Sequence, residues 1–208
     1  MSDDAAPLTL GRELARKTWH LLLLIYLAVY LHWGQAAFLR AMLPWTVFVA
    51  ALEVGRLRVP ALRSSLGGVF RFIMRPHEDG RLSGVLYTTV GVLAAGVLYG
   101  HRPAAFTAAV LQLAFADAAA ALVGVGWGKR RFTLAGRTRS WEGCAAGIAA
   151  AWLCGLGAGF GPGAALAGAA VFFAIDVLPP PPDDNFWIPV CSGLAFTLLD
   201  GARPAWPW

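Results

Sequence analysis

The sequence predicts an all-α bundle of about seven membrane-spanning helices, forming one domain over residues 1–208. Three observations predict it. The 208-residue chain is 58% hydrophobic and only 14% charged, against about 25% charged in an average soluble domain. Its apolar runs approach the roughly 20 residues that a spanning helix needs. Its basic residues gather in alternate inter-run segments, the pattern of a chain that crosses a bilayer back and forth.

Taken in order, the first span is expected over 18–32, with helix starting as early as Gly11, and the second over 36–52. The third is placed at 82–99, the fourth at 103–125, the fifth at 142–159, the sixth at 163–178 and the seventh at 186–199. The links 100–102 and 160–162 are tight, so the spans they join are antiparallel neighbours. A chain this short leaves no room beside seven spans for a separate soluble domain.

The segments before span one, between spans two and three, and between spans four and five hold 14 of the 17 basic residues. The positive-inside rule puts those segments and the amino terminus in the cytoplasm. The carboxyl terminus, with Trp206 and Trp208, then faces outward as an interfacial anchor. The expected location is a bacterial or archaeal cell membrane. The acid-bearing amino-terminal stretch does not read as a cleavable signal, which opens on a basic region. Cys144, Cys154 and Cys191 lie in apolar runs without disulfide or zinc spacing. The net charge of +5 is explained by these loops, so nucleic acid is not an expected partner. The oligomeric state is not readable.

Most acids collect at the cytoplasmic ends too, whereas a transporter tends to place its ionisable groups near the midplane. Asp117 stands inside an apolar helix, where an acid is costly and a functional candidate. After it comes Gly124-Val125-Gly126-Trp127-Gly128-Lys129-Arg130-Arg131. Such a turn can hold phosphates through backbone N–H groups and positive charge. A packing turn with basic anchors fits the same residues. The Walker loop is excluded by Val123 and Arg130, and the dinucleotide fingerprint by the helix that precedes the turn. Ser140 reads as the N-cap of span five with Glu142 in its first turn, and a helix start favours a phosphate. Four prolines, 179–182, lead to Asp183, Asp184 and Asn185, hard oxygen donors suited to Mg²⁺ or to helix capping. Glu13, Arg16, Lys17 and His20 share one helix face. Glu53 with Arg56, and Arg75 with Glu78, are close charged pairs.

Together these residues resemble the dolichol kinase, phytol kinase and CTP-dependent diacylglycerol kinase family, relatives of the phosphatidate cytidylyltransferases. The resemblance runs through Glu13…Arg16-Lys17-Thr18-Trp19-His20, Glu53…Arg56, Arg75-Pro76-His77-Glu78…Ser83-Gly84 and Phe115-Ala116-Asp117 with Gly124 and Gly128-Lys129. It continues in Ser140-Trp141-Glu142-Gly143 and in Asp184-Asn185…Ile188-Pro189, so it covers about residues 12–193. Arg139 stands where the family often has Lys, and Asp176 where it often has Glu.

The resemblance implies transfer of the γ-phosphoryl group of CTP to the hydroxyl of a lipid alcohol, aided by a divalent cation. The expected catalytic and metal-binding carboxylates are Asp117 and Asp184. Lys129, Arg130, Ser140, Glu142 and Asn185 are expected at the nucleotide, supported by Arg16, Lys17, His20, Glu53, Arg56, Arg75 and Glu78. A cytidylyltransferase making a CDP-lipid and a small non-catalytic transporter are the alternatives. The lipid acceptor, whether polyprenol, phytol or diacylglycerol, is not readable from apolar helices.

Overall fold

A computed structural model describes residues 10–62, 80–134 and 136–199, with the side chains of residues 10, 12, 13, 15, 16 and 19 outside the described set. The described chain is mostly helical. Its elements are α1 (Leu10–Leu21), α2 (Leu23–Arg58), α3 (Gly84–Tyr99), α4 (Pro103–Leu111), a π-turn (Gln112–Ala116) and α5 (Asp117–Gly126). Strands β1 (Arg131–Leu134) and β2 (Arg137–Ser140) follow, then α6 (Trp141–Gly157), α7 (Pro162–Val177) and α8 (Asp184–Leu199).

The first two helices are divided differently from their labels. Leu22, between α1 and α2, keeps helical angles (φ −62°, ψ −22°), whereas Gly34, inside α2, sits at φ 79°, ψ 179°. Only glycine adopts that backbone without strain. Tyr30 and Phe38 flank Gly34 symmetrically, and their ring centroids are 6.0 Å apart. In a continuous helix, eight residues would separate them by about 12 Å along the axis. The chain therefore folds back at Gly34, where the sequence places the boundary between its first two spans.

Cross-helix contacts fix the remaining directions. Lys17 meets Asp117 and His20 meets Leu113, while Tyr30 packs on Phe106 at 4.5 Å. The α1–α2 run is thus antiparallel to α4–α5. Glu53 and Arg56 reach Ser83 and Arg81 at one end of α3, and Gln35 reaches Gly96 near the other. Pro103 and Pro162 open α4 and α7, where the missing N–H costs nothing. Seven helical passes result among the described residues. The turns at Gly34, 100–102 and 158–161 share one end, and the charged residues crowd the other.

Two helical stretches are long and apolar enough to cross a membrane, Leu23–Arg58, which the fold-back at Gly34 divides, and Pro103–Gly126; Gly84–Tyr99 and Pro162–Val177 are apolar but shorter. The core is aromatic around Tyr30, Phe38 and Phe106, with Phe160 on Phe196 forming a smaller cluster. Large apolar side chains such as Ile25, Val47, Phe48, Leu153 and Leu198 are exposed on the outside. An apolar exterior with all described charges except Arg40 and Arg102 gathered at one end suits lipid around the bundle. Outside the described residues lie Asp200, Trp206 and Trp208, so the expected aromatic anchor is not described.

One expectation needs correction. The segment between α5 and α6 is not an irregular loop in an all-α chain but an antiparallel hairpin, pairing Arg131 with Ser140 and Leu134 with Arg137. The connection 135–136 places Gly136 at φ 75°, as a two-residue hairpin turn requires. The alternation Arg131-Phe132-Thr133-Leu134 before Ala-Gly was the available signal; the density of basic residues concealed it.

Candidate functional site

The charged end of the bundle is built around Asp117, which lies where the π-turn passes into α5 and is 6% exposed. A π-turn carries one extra residue and often marks a functional position in a helix. Here it re-aims Asp117 toward α1. The Lys17 ammonium is ion-paired with Oδ2 of Asp117, and His20 Nδ1 lies 3.1 Å from the same oxygen and 3.3 Å from the Leu113 carbonyl. Lys17 and His20 are three apart on α1, hence on one face, and both are buried.

A second group of acids enters from α7 and α8. Asp176 closes α7 and Asp184 opens α8, each 2% exposed. Strand β2 supplies their cations. Arg137 and Arg139 are two apart, so a strand sends both to one side. Arg137 donates to Asp184 at 2.7 Å. Arg139 donates to the Asp176 carboxylate and to its backbone carbonyl, each at 2.8 Å, and stands 3.5 Å from Asp184. Thr138, on the other side, meets Thr133 at 3.2 Å. Asp183 accepts from the Asn185 amide side chain at 2.6 Å and from its backbone N–H at 3.0 Å, a cap on the start of α8.

The two groups are one electrostatic unit. Asp176 lies within reach of Arg139, Asp117, Asp184 and Lys17 together. Buried charges are costly unless paired and hydrogen-bonded, so three buried carboxylates, Asp117, Asp176 and Asp184, paired with Lys17, His20, Arg137 and Arg139 are not an accident of packing. Close helix approach makes this possible. A Cβ on Gly143 of α6 would stand 2.7 Å from the Ala120 carbonyl and 2.9 Å from Gly124 of α5.

The glycine–lysine turn is arranged differently from the phosphate cradle that its sequence suggests. Backbone N–H groups of Lys129 and Arg130 donate to the Glu142 carboxylate at 3.2 Å. A carboxylate from the first turn of α6 thus takes up two donors expected to face phosphate. The side chains of Lys129 and Arg130 are exposed. Ser140 caps α6 as expected, accepting from the Gly143 N–H at 3.0 Å.

Glu53 and Arg56 form a separate buried unit. Glu53 accepts from Arg56 at 2.9 Å and from the Ser83 N–H at 3.0 Å, placing an anion at the start of α3, where the helix dipole favours it. Arg56 also holds the Arg81 carbonyl at 2.7 Å. Arg75 and Glu78 lie outside the described residues, as do the side chains of Glu13 and Arg16. The sequence suggested Arg137 only as positive charge beside a phosphate-favouring helix start, assigned Asp176 no role, and did not single out Gln112, which is fully buried at the head of the π-turn. The period-two spacing of Arg137 and Arg139 was the signal for the first of these.

Among the described residues, no group of three or more His, Cys, Asp and Glu side chains forms a ready metal cluster. Mg²⁺ does not require one, since it is commonly held by one or two carboxylates together with substrate phosphates and water. Asp117 and Asp184 are buried hard oxygen donors of that kind.

Compared with known proteins, the chain is similar to a curated protein named phytol kinase from Synechocystis sp., 35% identical over 107 residues. That stretch is 51% of this chain and 42% of the relative, so less than half of the relative's length is matched. No family model matches the chain, and no solved structure matches it. The likeness supports a lipid kinase, hence a transferase, at the level of the family, and with the apolar helices it suggests a membrane protein.

Proposed function

We propose that this protein is a membrane-embedded lipid-alcohol kinase. It transfers the γ-phosphoryl group of CTP to the hydroxyl of a phytol, polyprenol or diacylglycerol at the cytoplasmic face of a seven-span bundle. The observation that carries the reading is the burial and ion pairing of Asp117, Asp176 and Asp184, from three separate passes, at the charge-rich end of an apolar bundle. A triphosphate from solution and a hydroxyl on an apolar body meet only at such a boundary. The partial likeness to phytol kinase supports the reaction class, and the preference for CTP rests on the motif resemblance.

Phosphoryl transfer calls mainly for positioning and charge neutralisation. Asp117 and Asp184 would hold Mg²⁺, which when bound neutralises phosphate charge. Lys129 and Arg130 extend from the turn that Glu142 braces and reach for phosphate oxygens, while Ser140 fixes the start of α6 beside them. Asn185 keeps the start of α8, and with it Asp184, in place. Lys17 and His20 hold the Asp117 carboxylate on the inner wall, and Asp117 takes the alcohol proton as the new P–O bond forms and the bond to the CDP leaving group breaks. Arg137 pairs with Asp184, and Arg139 bridges Asp176 and Asp184, which holds the two carboxylates in position.

The test is an assay of reconstituted protein with CTP labelled at either the α- or the γ-phosphate, against phytol, polyprenol and diacylglycerol. Appearance of γ-label in the lipid is expected. Appearance of α-label would mean a cytidylyltransferase, and no transfer to any acceptor would overturn the reading.

A further inference from the structure

Gln112 is an unusual residue for the wall on which it sits. It is 0% exposed, and its neighbours Leu113, Ala114 and Ala116 are equally buried and apolar. Its Nε2 donates to the Ala151 carbonyl of α6 at 3.1 Å. A carbonyl can only accept, so this contact fixes the orientation of the amide. The other atom, Oε1, is buried and has no hydrogen-bond partner among the described residues. Buried polar atoms are nearly always paired, and an orphaned acceptor is unfavourable. The missing partner must be a donor.

The π-turn sets where that donor belongs. The Asp117 N–H bonds to the Gln112 carbonyl, five residues back. In an α-helix of about 100° per residue, residues five apart point about 140° away from each other. The i→i+5 turn brings residue 117 over residue 112 instead. Gln112 therefore lies one turn below Asp117 on the same wall, on the apolar side of the charged end. Phosphate and carboxylate oxygens only accept, so neither the triphosphate nor a neighbouring acid satisfies Oε1. A hydroxyl carried on an apolar body does.

We propose that Gln112 is the residue that recognises the acceptor, with Oε1 receiving the O–H of the lipid alcohol one turn beneath Asp117. This rests on the kinase reading and extends it by naming a specificity determinant. The hydroxyl keeps its proton while held by Gln112 and gives it up to Asp117 only during transfer. Gln112 is a binding residue and not the base.

The experiment uses the full chain in lipid nanodiscs with two probes, phytol and its methyl ether, which keeps the oxygen but lacks the donor. Binding is measured directly by competition with a fluorescent lipid, alongside γ-label transfer. Wild-type protein is expected to bind phytol about three- to tenfold more tightly than the ether, the effect of one neutral hydrogen bond. In Gln112→Met, which is close in size and has no amide, that ratio is expected to fall to one. The KM for phytol should rise by the same factor while the KM for CTP stays unchanged. Equal preference for phytol in wild type and variant, or a rise in both KM values together, would overturn the proposal. Thermal unfolding of the variant is recorded to show that it is folded; should it be unfolded, Gln112→Leu is measured in its place, and a phytol preference kept at the wild-type ratio in that variant would equally overturn the proposal. Binding preference without any γ-label transfer would refute the kinase reading and leave acceptor recognition standing.

Discussion

Replacing Lys17 with Met tests whether the charged end is a set of true buried ion pairs. The Lys17 ammonium and the Asp117 carboxylate are in direct contact, at 2% and 8% side-chain exposure. Removing one partner of a buried pair costs about 3–5 kcal/mol, because the other charge is left in a poor medium. His20 at 3.1 Å recovers part of this, so the lower half of that range is expected. For a chain of this length each kcal/mol moves the unfolding midpoint by about 2–4 °C, and Lys17→Met should lower it by roughly 6–16 °C. Adding Asp117→Asn removes the stranded charge, and the double variant should regain more than half of the loss. The assay is thermal unfolding of purified protein in one detergent, followed by loss of helical circular dichroism. Lys129→Met, at an exposed position, is the control and should change little, as exposed charges do. A Lys17→Met shift no larger than the control's, or a double variant no more stable than the single, would refute the argument that Asp117 is held as a buried carboxylate by Lys17.

Further expectations concern transfer and the backbone. Asp117→Ala and Asp184→Ala should each abolish γ-label transfer while membrane insertion, read by fractionation, is unchanged; wild-type turnover in both would remove the proposed site. Arg139→Lys should retain part of the activity and Arg139→Ala almost none, because Lys keeps the charge but not the two-point contact with the Asp176 carboxylate and carbonyl. Glu142→Gln should raise the KM for CTP several-fold without moving that for the acceptor, since it weakens the acceptor of the Lys129 and Arg130 amides; kinetic titration of each substrate separates the two. Gly34→Ala should destabilise the fold by about 1–3 kcal/mol, the penalty of a positive-φ extended backbone for a residue with a Cβ, measured by the same thermal scan.

Much of the architecture was legible because apolar run length and charge placement are properties of short stretches. The links 100–102 and 160–162, the break near Gly34 and the collection of acids and bases at one end all follow from where apolar runs stop. The site was legible in part. Asp117 and the 183–185 element stand out because acids in or beside apolar helices are rare. Their partners do not stand out. Nothing local pairs Lys17 with Asp117, a hundred residues away, and although Glu142 was singled out, nothing local turns the Lys129 and Arg130 amides toward its carboxylate. The hairpin was hidden because Arg at positions 131, 137 and 139 reads as a basic loop until the period-two alternation is set beside Gly136.

The sequence by itself determined that the chain is helical and apolar, that its charge lies at one end, and which acids are costly enough to need a purpose. Tertiary structure alone decided which cation meets which carboxylate: Lys17 with Asp117, Arg137 with Asp184, Arg139 between Asp176 and Asp184. The physical reason is that hydropathy sums over neighbours in the chain. Ion pairing depends instead on helix direction, on the turn by which a π-turn rotates a side chain, and on the face to which a strand sends alternate residues.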